Sequence, residues 1–474
     1  MNKQIAVETK HETRNPWAWV PSLYYAEGIP YVVVMTVAVL FYQGMGLSNT
    51  DIALYTSWLY LPWVIKPLWS PVVDVLKTKR LWIISMQLII GAALGGLALS
   101  IPLPGYFKYS MAFFWLIAFS SATHDIAADG FYMLGLTEKN QSFFVGIRST
   151  FYRLAMITGQ GILIIIAGYL QTKVPSVAKS WSYTFGILTA LFLLFYLYHT
   201  FILPYPLSDA KKTDSNQLGN KMPNYLIFVA VFIIFLPFYI LLIWLQPLTK
   251  MDPRPLLRKL PFSNNPFSNS IILFLVKSNF GIIILFMFIF RFGEAQLVKI
   301  APLFLKAPRS TGGLGLSLEE IGIAYGTVGV VALTLGGILG GLLASKGGLK
   351  KWIWWMFAAI NIPHILYIYM SYTQPSNLFI INLCVAGEQF GYGFGFTAYM
   401  LYMIYVSEGE FKTSHYAICT GFMALGMMIP GMFSGWIQEH LGYPHFFLWV
   451  LITMLPGYFI IKNLPLNPEF GKKD

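Results

Sequence analysis

His124, Asp125 and Asp129 fall close together in one apolar run, within the stretch SSATHDIAADGFYMLGL at 120–136. Asp125 and Asp129 are four apart, which puts both carboxylates on one face of a helix. A charge at the centre of a membrane helix costs roughly 2.5–3.5 kcal/mol, so two on one face call for water, a cation or a proton. Carboxylates recur in other apolar runs: Glu27 in YYAEGIPY, Glu294 in FRFGEAQL and Glu388 in AGEQFGYGF. A carboxylate that is wet in one state and dry in another can take up and release a proton. Glu27, Asp125 and Glu388, each without a same-helix cation within one turn, are the candidates for that chemistry. Gly28 and Pro30 follow Glu27, a pairing that loosens a helix and frees a carbonyl toward a cavity. His124, Asp125, Glu294, Glu388 and Gln389 are the candidates for holding a polar substrate. The plainer alternative for each is a contact that only closes the packing.

At about 1.5 Å per residue, Asp125 and Asp129 lie roughly 16 and 10 Å from the end of their span, and Arg153 roughly 13 Å from the adjoining end of the next. A short loop makes these two spans antiparallel neighbours. Arg153 is therefore expected to pair with one of the carboxylates, with Asp129 as the structural partner and Asp125 facing solvent. Arg291 and Glu294, three apart, form a second expected ion pair, unless Glu294 serves the substrate.

The elements that must carry these residues are membrane helices. Of 474 residues 56% are hydrophobic and only 11% charged, with a mean hydropathy of +0.62. A soluble domain cannot hide that much apolar surface. Residues 1–16 are polar and the first apolar run is long enough to span, so no cleavable leader is expected. Cys384 and Cys419 lie in apolar runs and suggest neither disulfides nor a thiolate metal site. No metal motif, P-loop or dinucleotide fingerprint is present, so neither metal nor cofactor is expected. The LGGILGG run at 335–341 reads as close helix packing.

Apolar spans fall at about 17–43, 51–73, 81–101, 109–136, 144–170 and 181–203, and again at 278–305, 318–345, 350–372, 377–406, 413–438 and 444–463. With both termini cytoplasmic, 22 Lys and Arg fall inside and 5 outside, out of 32. That bias fixes the expected orientation and explains the net charge of +12 without nucleic acid. The segment 225–248 is long enough to span but has basic flanks on both sides and Pro237 at its centre. A non-crossing or peripheral element is the expectation and a thirteenth span the alternative. The chain thus divides into an N-terminal half at 1–203, a cytoplasmic linker at 204–277 and a C-terminal half at 278–474.

The halves repeat. Glu27 in the first span matches Glu294 in the seventh, and His124 and Asp125 in the fourth match Glu388 and Gln389 in the tenth. A basic turn follows the second span (Asp74, Lys77, Lys79, Arg80) and the eighth (Lys346, Lys350, Lys351). Parallel six-helix repeats with a site between them define an all-α polytopic major facilitator fold, here of six plus six helices with one extra hydrophobic segment. In that class a cytoplasmic loop pairing acid with base gates access. Asp74, Lys77 and Arg80 are read as such a loop, with Lys66, just before Pro67, snorkelling or pairing beside it.

YYAEGIPY, VIKPLWSPVVD, FSSATHDIAADGF and FYRLAMITGQG, with FGEAQ and LSLEEIG later, resemble the successive landmarks of the muropeptide permease (AmpG-type) family, which is related to acetyl-coenzyme A transporters. The resemblance implies a monomeric, proton-driven importer of cell-wall breakdown products, muropeptides or related amino-sugar oligosaccharides, in a bacterial inner membrane. It implies no enzyme activity; the partners would be the small-molecule substrate, protons and membrane lipids. It places Asp125 and Asp129 at the family's paired acidic positions, and Lys66, Trp69, Pro71 and Asp74 in its second-helix signature. Two residues depart: His124 stands where glutamine is usual, and Glu27 where a small residue is commoner. Both are expected near the cavity, so another glycan or an acyl-coenzyme A is the alternative cargo. A membrane-embedded transferase is a further rival, but no outer loop is long enough for a second-substrate domain.

Overall fold

The computed structural model describes residues 14–206, 209, 227–229, 231, 234–246, 252–258 and 266–472. Among them, nine stretches are helical, long and apolar enough to cross a membrane. They supply α1 (Pro16–Gly44), α3 (Lys79–Ser100), α4 (Tyr106–Gly135), α5 (Glu138–Lys173), α6 (Val177–Ile202), α7 (Phe280–Lys306), α8 (Leu318–Gly347) and α9 (Leu349–Thr373). The ninth, Lys412–Lys462, is two helices, α11 at 412–441 and α12 at 443–462, divided at Gly442 with φ 69°. The chain reverses there: Tyr443 packs on Phe304 near the end of α7, while Trp449 is already back beside Gln296. Two more helices complete the bundle, α2 in the pieces Asn49–Trp58 and Leu61–Val75, and α10 at Leu378–Ser407.

The helices begin where the sequence offers an oxygen to a bare N-terminus. Ser48, Thr78, Ser176 and Asn377 each accept from a first-turn backbone N–H, and Ser317 with Glu320 forms a reciprocal pair. Asp209 adds its carboxylate to the start of α3, accepting from the backbone N–H of Lys79 and Arg80 at 2.8 and 3.1 Å. Thr137 caps α5 in the same way, so α5 begins at Glu138, runs to Ile157, passes a π-helical turn at Thr158–Ile162 and ends in Leu163–Lys173. Hydropathy placed its start at 144 because the first turns are polar.

In the N-terminal half α3 packs on α4 and α6, and α1 on α5; in the C-terminal half α10 packs on α8 and α9, and α7 on the α11–α12 pair. The halves meet where α2 runs along α11 and α5 along α8. Their contact lies toward the end of the bundle away from the termini. There Gln43 donates to the Leu303 carbonyl at 2.9 Å, and Asn49 donates to Gln438 and Tyr443 at 2.6 and 3.1 Å. Thr50 bonds Glu439 beside them. One apolar core joins both halves at this far end, containing Phe41, Tyr42, Phe304 and Tyr443. At the termini end each half has a separate core, around Trp19 and Phe131 in one and Phe286 and Tyr399 in the other. The bundle is shut at the far end and parted toward the termini.

The α5–α8 crossing is made by glycines on π-helical backbone, Gly161 in Thr158–Ile162 and Gly322 and Gly326 in Gly322–Gly329. A Cβ at Gly326 would stand 2.1 Å from the Gln160 carbonyl oxygen, so only glycine permits this approach.

Within the extra segment, the helix Ile234–Gln246 packs at the start of α7. Tyr239 donates to the Leu275 carbonyl at 2.9 Å and Trp244 to that of Gly281 at 3.4 Å. The rest of 225–248, apart from 227–229 and 231, lies outside the described residues, as does most of the linker around it.

Candidate functional site: a charged cavity between the halves

A cavity of about 710 Å³ lies between the halves, walled by α1, α2, α4 and α5 on one side and α7, α8, α10 and α11 on the other. Side-chain exposure rises from 21% at Asp125 to 42% at Asp129, so its water comes from the termini end.

Asp125 is ion-paired with Lys66 of α2. Lys66 therefore stands inside the cavity, not in the gating loop expected from its neighbourhood. Pro67 and Pro71 sit within the Leu61–Val75 piece of α2, which carries Lys66 alongside α4. The basic turn read as a gating loop is held within one half. Arg80 donates to the carbonyls of Leu203 and Thr200 and stacks 3.9 Å over the Tyr205 ring. Lys77 takes up a positive φ of 65° in the turn, and the Asp74 side chain lies outside the described residues.

Asp129 accepts from Tyr24 at 3.1 Å and lies 3.1 Å from an Arg148 nitrogen. Arg148 also donates to the Tyr24 hydroxyl at 2.9 Å and spreads over the Tyr24 and Tyr132 rings. The pairing expected for Arg153 is thus taken by Arg148. The cause is the early start of α5: six further residues at about 1.5 Å each carry Arg153 past both carboxylates, and Arg148, five residues earlier, is the one that meets Asp129. Arg153 instead crosses to the other half and donates to Thr334 of α8 at 3.2 Å. Arg148 was legible as an intrahelical cation; only the helix start was missing.

Glu27 lines the cavity at 7% exposure, within hydrogen-bonding reach of the Asp125 carboxyl and near Asp129, while its Oε2 has no hydrogen-bond partner. Gly28 beside it serves packing: a Cβ there would lie 2.7 Å from that of Ala155, so the glycine lets α1 close on α5.

The other candidates are placed differently from expectation. His124 is buried and turned from the cavity. It bonds Gln87 at 3.0 Å, and Gln87 bonds His199 at 2.9 Å, which bonds Ser22 at 2.9 Å. One residue along a helix is about 100° of rotation, so Asp125 on the cavity face sends His124 into α3 and α6. Glu388 likewise does not line the cavity. It accepts from Gln389 at 2.9 Å, and Gln389 is the one that lines the wall. Glu294 is fully buried behind Arg291, which faces the cavity. Arg291 lies 2.9 Å from Glu294, donates to Tyr392 at 2.8 Å, and is boxed by the Tyr392, Phe396 and Tyr399 rings. His124, Glu294 and Glu388 therefore do not line the cavity in this conformation. The overlay of the halves still holds in one respect: Asp125 and Gln389 face the cavity, and His124 and Glu388 do not. Like Arg148, a further cation went unremarked in the sequence. Lys299 of α7 is buried at the contact between halves, donating to Thr56 at 3.0 Å, 5.3 Å over the Tyr60 ring.

The Lys66–Asp125 pair has a direct test. A lone buried charge costs about 3–5 kcal/mol, reduced here because each partner keeps 21% exposure. Lys66→Met is expected to lower the melting temperature more than Lys66→Met with Asp125→Asn, read by thermal unfolding in detergent. Additive losses contradict the pair.

A two-half bundle of helices, parted at one end around a charged mid-depth cavity, defines a small-molecule membrane transporter of the major facilitator fold. The xylose transporter XylE from E. coli in an inward open conformation shares it, with TM-score 0.62, 12% identity and coverage of 95% of this chain and 96% of that one. So does a bacterial homolog of the human lysosomal transporter Spinster in an inward-facing and unoccupied conformation, with TM-score 0.64, 14% identity and coverage of 95% and 96%. No family model matches the chain. In sequence the chain is similar to AmpG 4 of Rickettsia conorii, 23% identical over 451 residues, 92% of this chain and 93% of the relative. It is similar also to the anhydromuropeptide permease of Escherichia coli K12, 22% identical over 432 residues, 88% of this chain and 74% of the relative. The resemblance to AmpG-type permeases read from the motifs extends over nearly the whole chain. Its relatives are permeases and its fold neighbours transporters, not enzymes.

Proposed function

We propose that this transporter imports muropeptides or related amino-sugar oligosaccharides across a bacterial cytoplasmic membrane, coupled to protons, as a monomer with both termini cytoplasmic. The observation that carries the reading is the cavity wall. Tyr31, Tyr60, Trp63, Tyr152, Tyr325 and Tyr392 offer aromatic faces suited to sugar rings, beside an acidic cluster on α1 and α4. The permease name of the Escherichia coli relative supports the cargo. His124, one of the two departures from the family pattern, lies off the cavity and so gives no support to another cargo. Glu27, the other, lies on it and is the proposed proton carrier. Asp125, tied to Lys66, is proposed to serve binding.

Counterflow tests the cargo. Proteoliposomes loaded with unlabelled anhydro-amino-sugar peptide are expected to draw in the labelled compound, whereas xylose does not compete. Exchange of simple sugars alone would replace this cargo.

Orientation follows from the charge bias. A cysteine replacing Lys473 in an otherwise cysteine-free chain is expected to react with an impermeant maleimide only after the cells are opened. Labelling in intact cells reverses the topology and makes the parted end face outward.

A further inference from the structure

The charges that line the cavity do not all cancel locally. Lys66 is met by Asp125, Arg148 by Asp129, and Arg291 by Glu294 behind it. Two remain: the Glu27 carboxyl on α1 and the Arg153 guanidinium on α5. Among the described residues no carboxylate lies within ion-pair distance of Arg153, and its one hydrogen bond is to the Thr334 hydroxyl. A guanidinium carries five N–H donors in a planar fork. Most of that fork is therefore unspent in a site too large to be closed by protein alone. Across the cavity Arg291 differs in having its charge met by Glu294, with Tyr392 as a further acceptor.

We infer that Arg153, with the Thr334 hydroxyl beside it, is the subsite for a carboxylate of the transported molecule, and that the cargo is therefore an anion. The inference rests on the cavity being the substrate site and adds the group that it reads. A carboxylate matches the fork with two parallel hydrogen bonds. A phosphate would match it too, but its second charge would face Glu27, Asp125 and Asp129 in the same cavity. A carboxylate held there is bound by an arginine of α5 that is itself braced on α8, because the Thr334 hydroxyl accepts from Arg153 and spends its own proton on the Val330 carbonyl. Ligand charge and the joining of the halves are thereby linked at one point.

The test is thermal stabilisation of the purified full-length protein by matched pairs. These are a muramyl dipeptide acid and its amide, an N-acetyl amino acid and its amide, and glucuronic acid and glucose, with glucose 6-phosphate as a phosphate probe. In each pair that binds, the acid is expected to bind about tenfold or more tightly, the scale of a charged hydrogen bond. Arg153→Gln is expected to bring acid and neutral partner within about twofold, and Arg153→Lys to leave an intermediate preference. The wild-type comparison stands even where Arg153→Gln fails to fold. Equal binding of acid and neutral forms, a preference kept in Arg153→Gln, a phosphate preferred to every acid, or no acid binding at all overturns the inference. Binding of the amino-acid or uronic pair but not the muramyl pair keeps the Arg153 subsite and removes the proposed cargo.

Discussion

Glu27→Gln is expected to abolish accumulation of cargo against its gradient while leaving binding and counterflow within a few-fold of wild type. Glutamine keeps the size and hydrogen bonding of the side chain but cannot carry a proton. Of the carboxyls that line the cavity, Asp125 and Asp129 each have a cation, and Glu27 has none of its own. Its Oε2 is buried without a partner, an arrangement that costs about 1–3 kcal/mol unless a proton or a ligand group completes it. In the conformation described, the cavity is wetted from the termini end. On the proposed reading the halves close there and part at the far end, and the same carboxyl is then expected to meet water from the other side. A group reached alternately from two sides is what proton coupling requires. Asp125→Asn is expected to behave differently, losing binding as well, because it strands the Lys66 ammonium in the cavity. Uphill accumulation by Glu27→Gln under a proton-motive force would leave Glu27 a packing residue.

Gly326→Leu is expected to reduce transport at least tenfold without reducing the amount of folded protein. A Cβ at Gly326 would come 2.1 Å from the Gln160 carbonyl, so α5 and α8 cannot cross at their present distance. Overpacking costs about 1–3 kcal/mol, which lands on the conformation shut at the far end and not on the one in which these helices part there. The equilibrium should move by roughly five- to 150-fold toward the latter. A cysteine at Asn49, now bonded to Gln438 and Tyr443, should then label faster, and one at Ser149, on the cavity wall nearer the termini, more slowly. Unchanged labelling at both positions contradicts the gate.

The acidic face of α4 was legible because a four-residue spacing fixes a face whatever the tertiary structure, and the basic residues of short loops fixed an expected orientation. Partners were less legible. Arg153 was matched to the α4 carboxylates by depth, and depth depends on where a helix starts. Thr137 starts α5 with a capping hydrogen bond that hydropathy does not register. Lys66 read as a residue of the cytoplasmic turn because its neighbours in sequence are there, whereas its carboxylate lies on another helix. His124 was assigned to the cavity by proximity to Asp125 in sequence, although adjacent helical residues point about 100° apart. The buried chain of His124, Gln87, His199 and Ser22 joins four helices and has no local signature at all.

The most direct measurement is uptake of a labelled anhydro-amino-sugar peptide into proteoliposomes under a proton gradient of either direction. Protein oriented with its termini inside is expected to concentrate the peptide above the external level when the outside is acidic. A protonophore should abolish the excess, and the Glu27→Gln variant should only equilibrate. Equal uptake under acidic, neutral and collapsed gradients would contradict proton-driven import through this cavity.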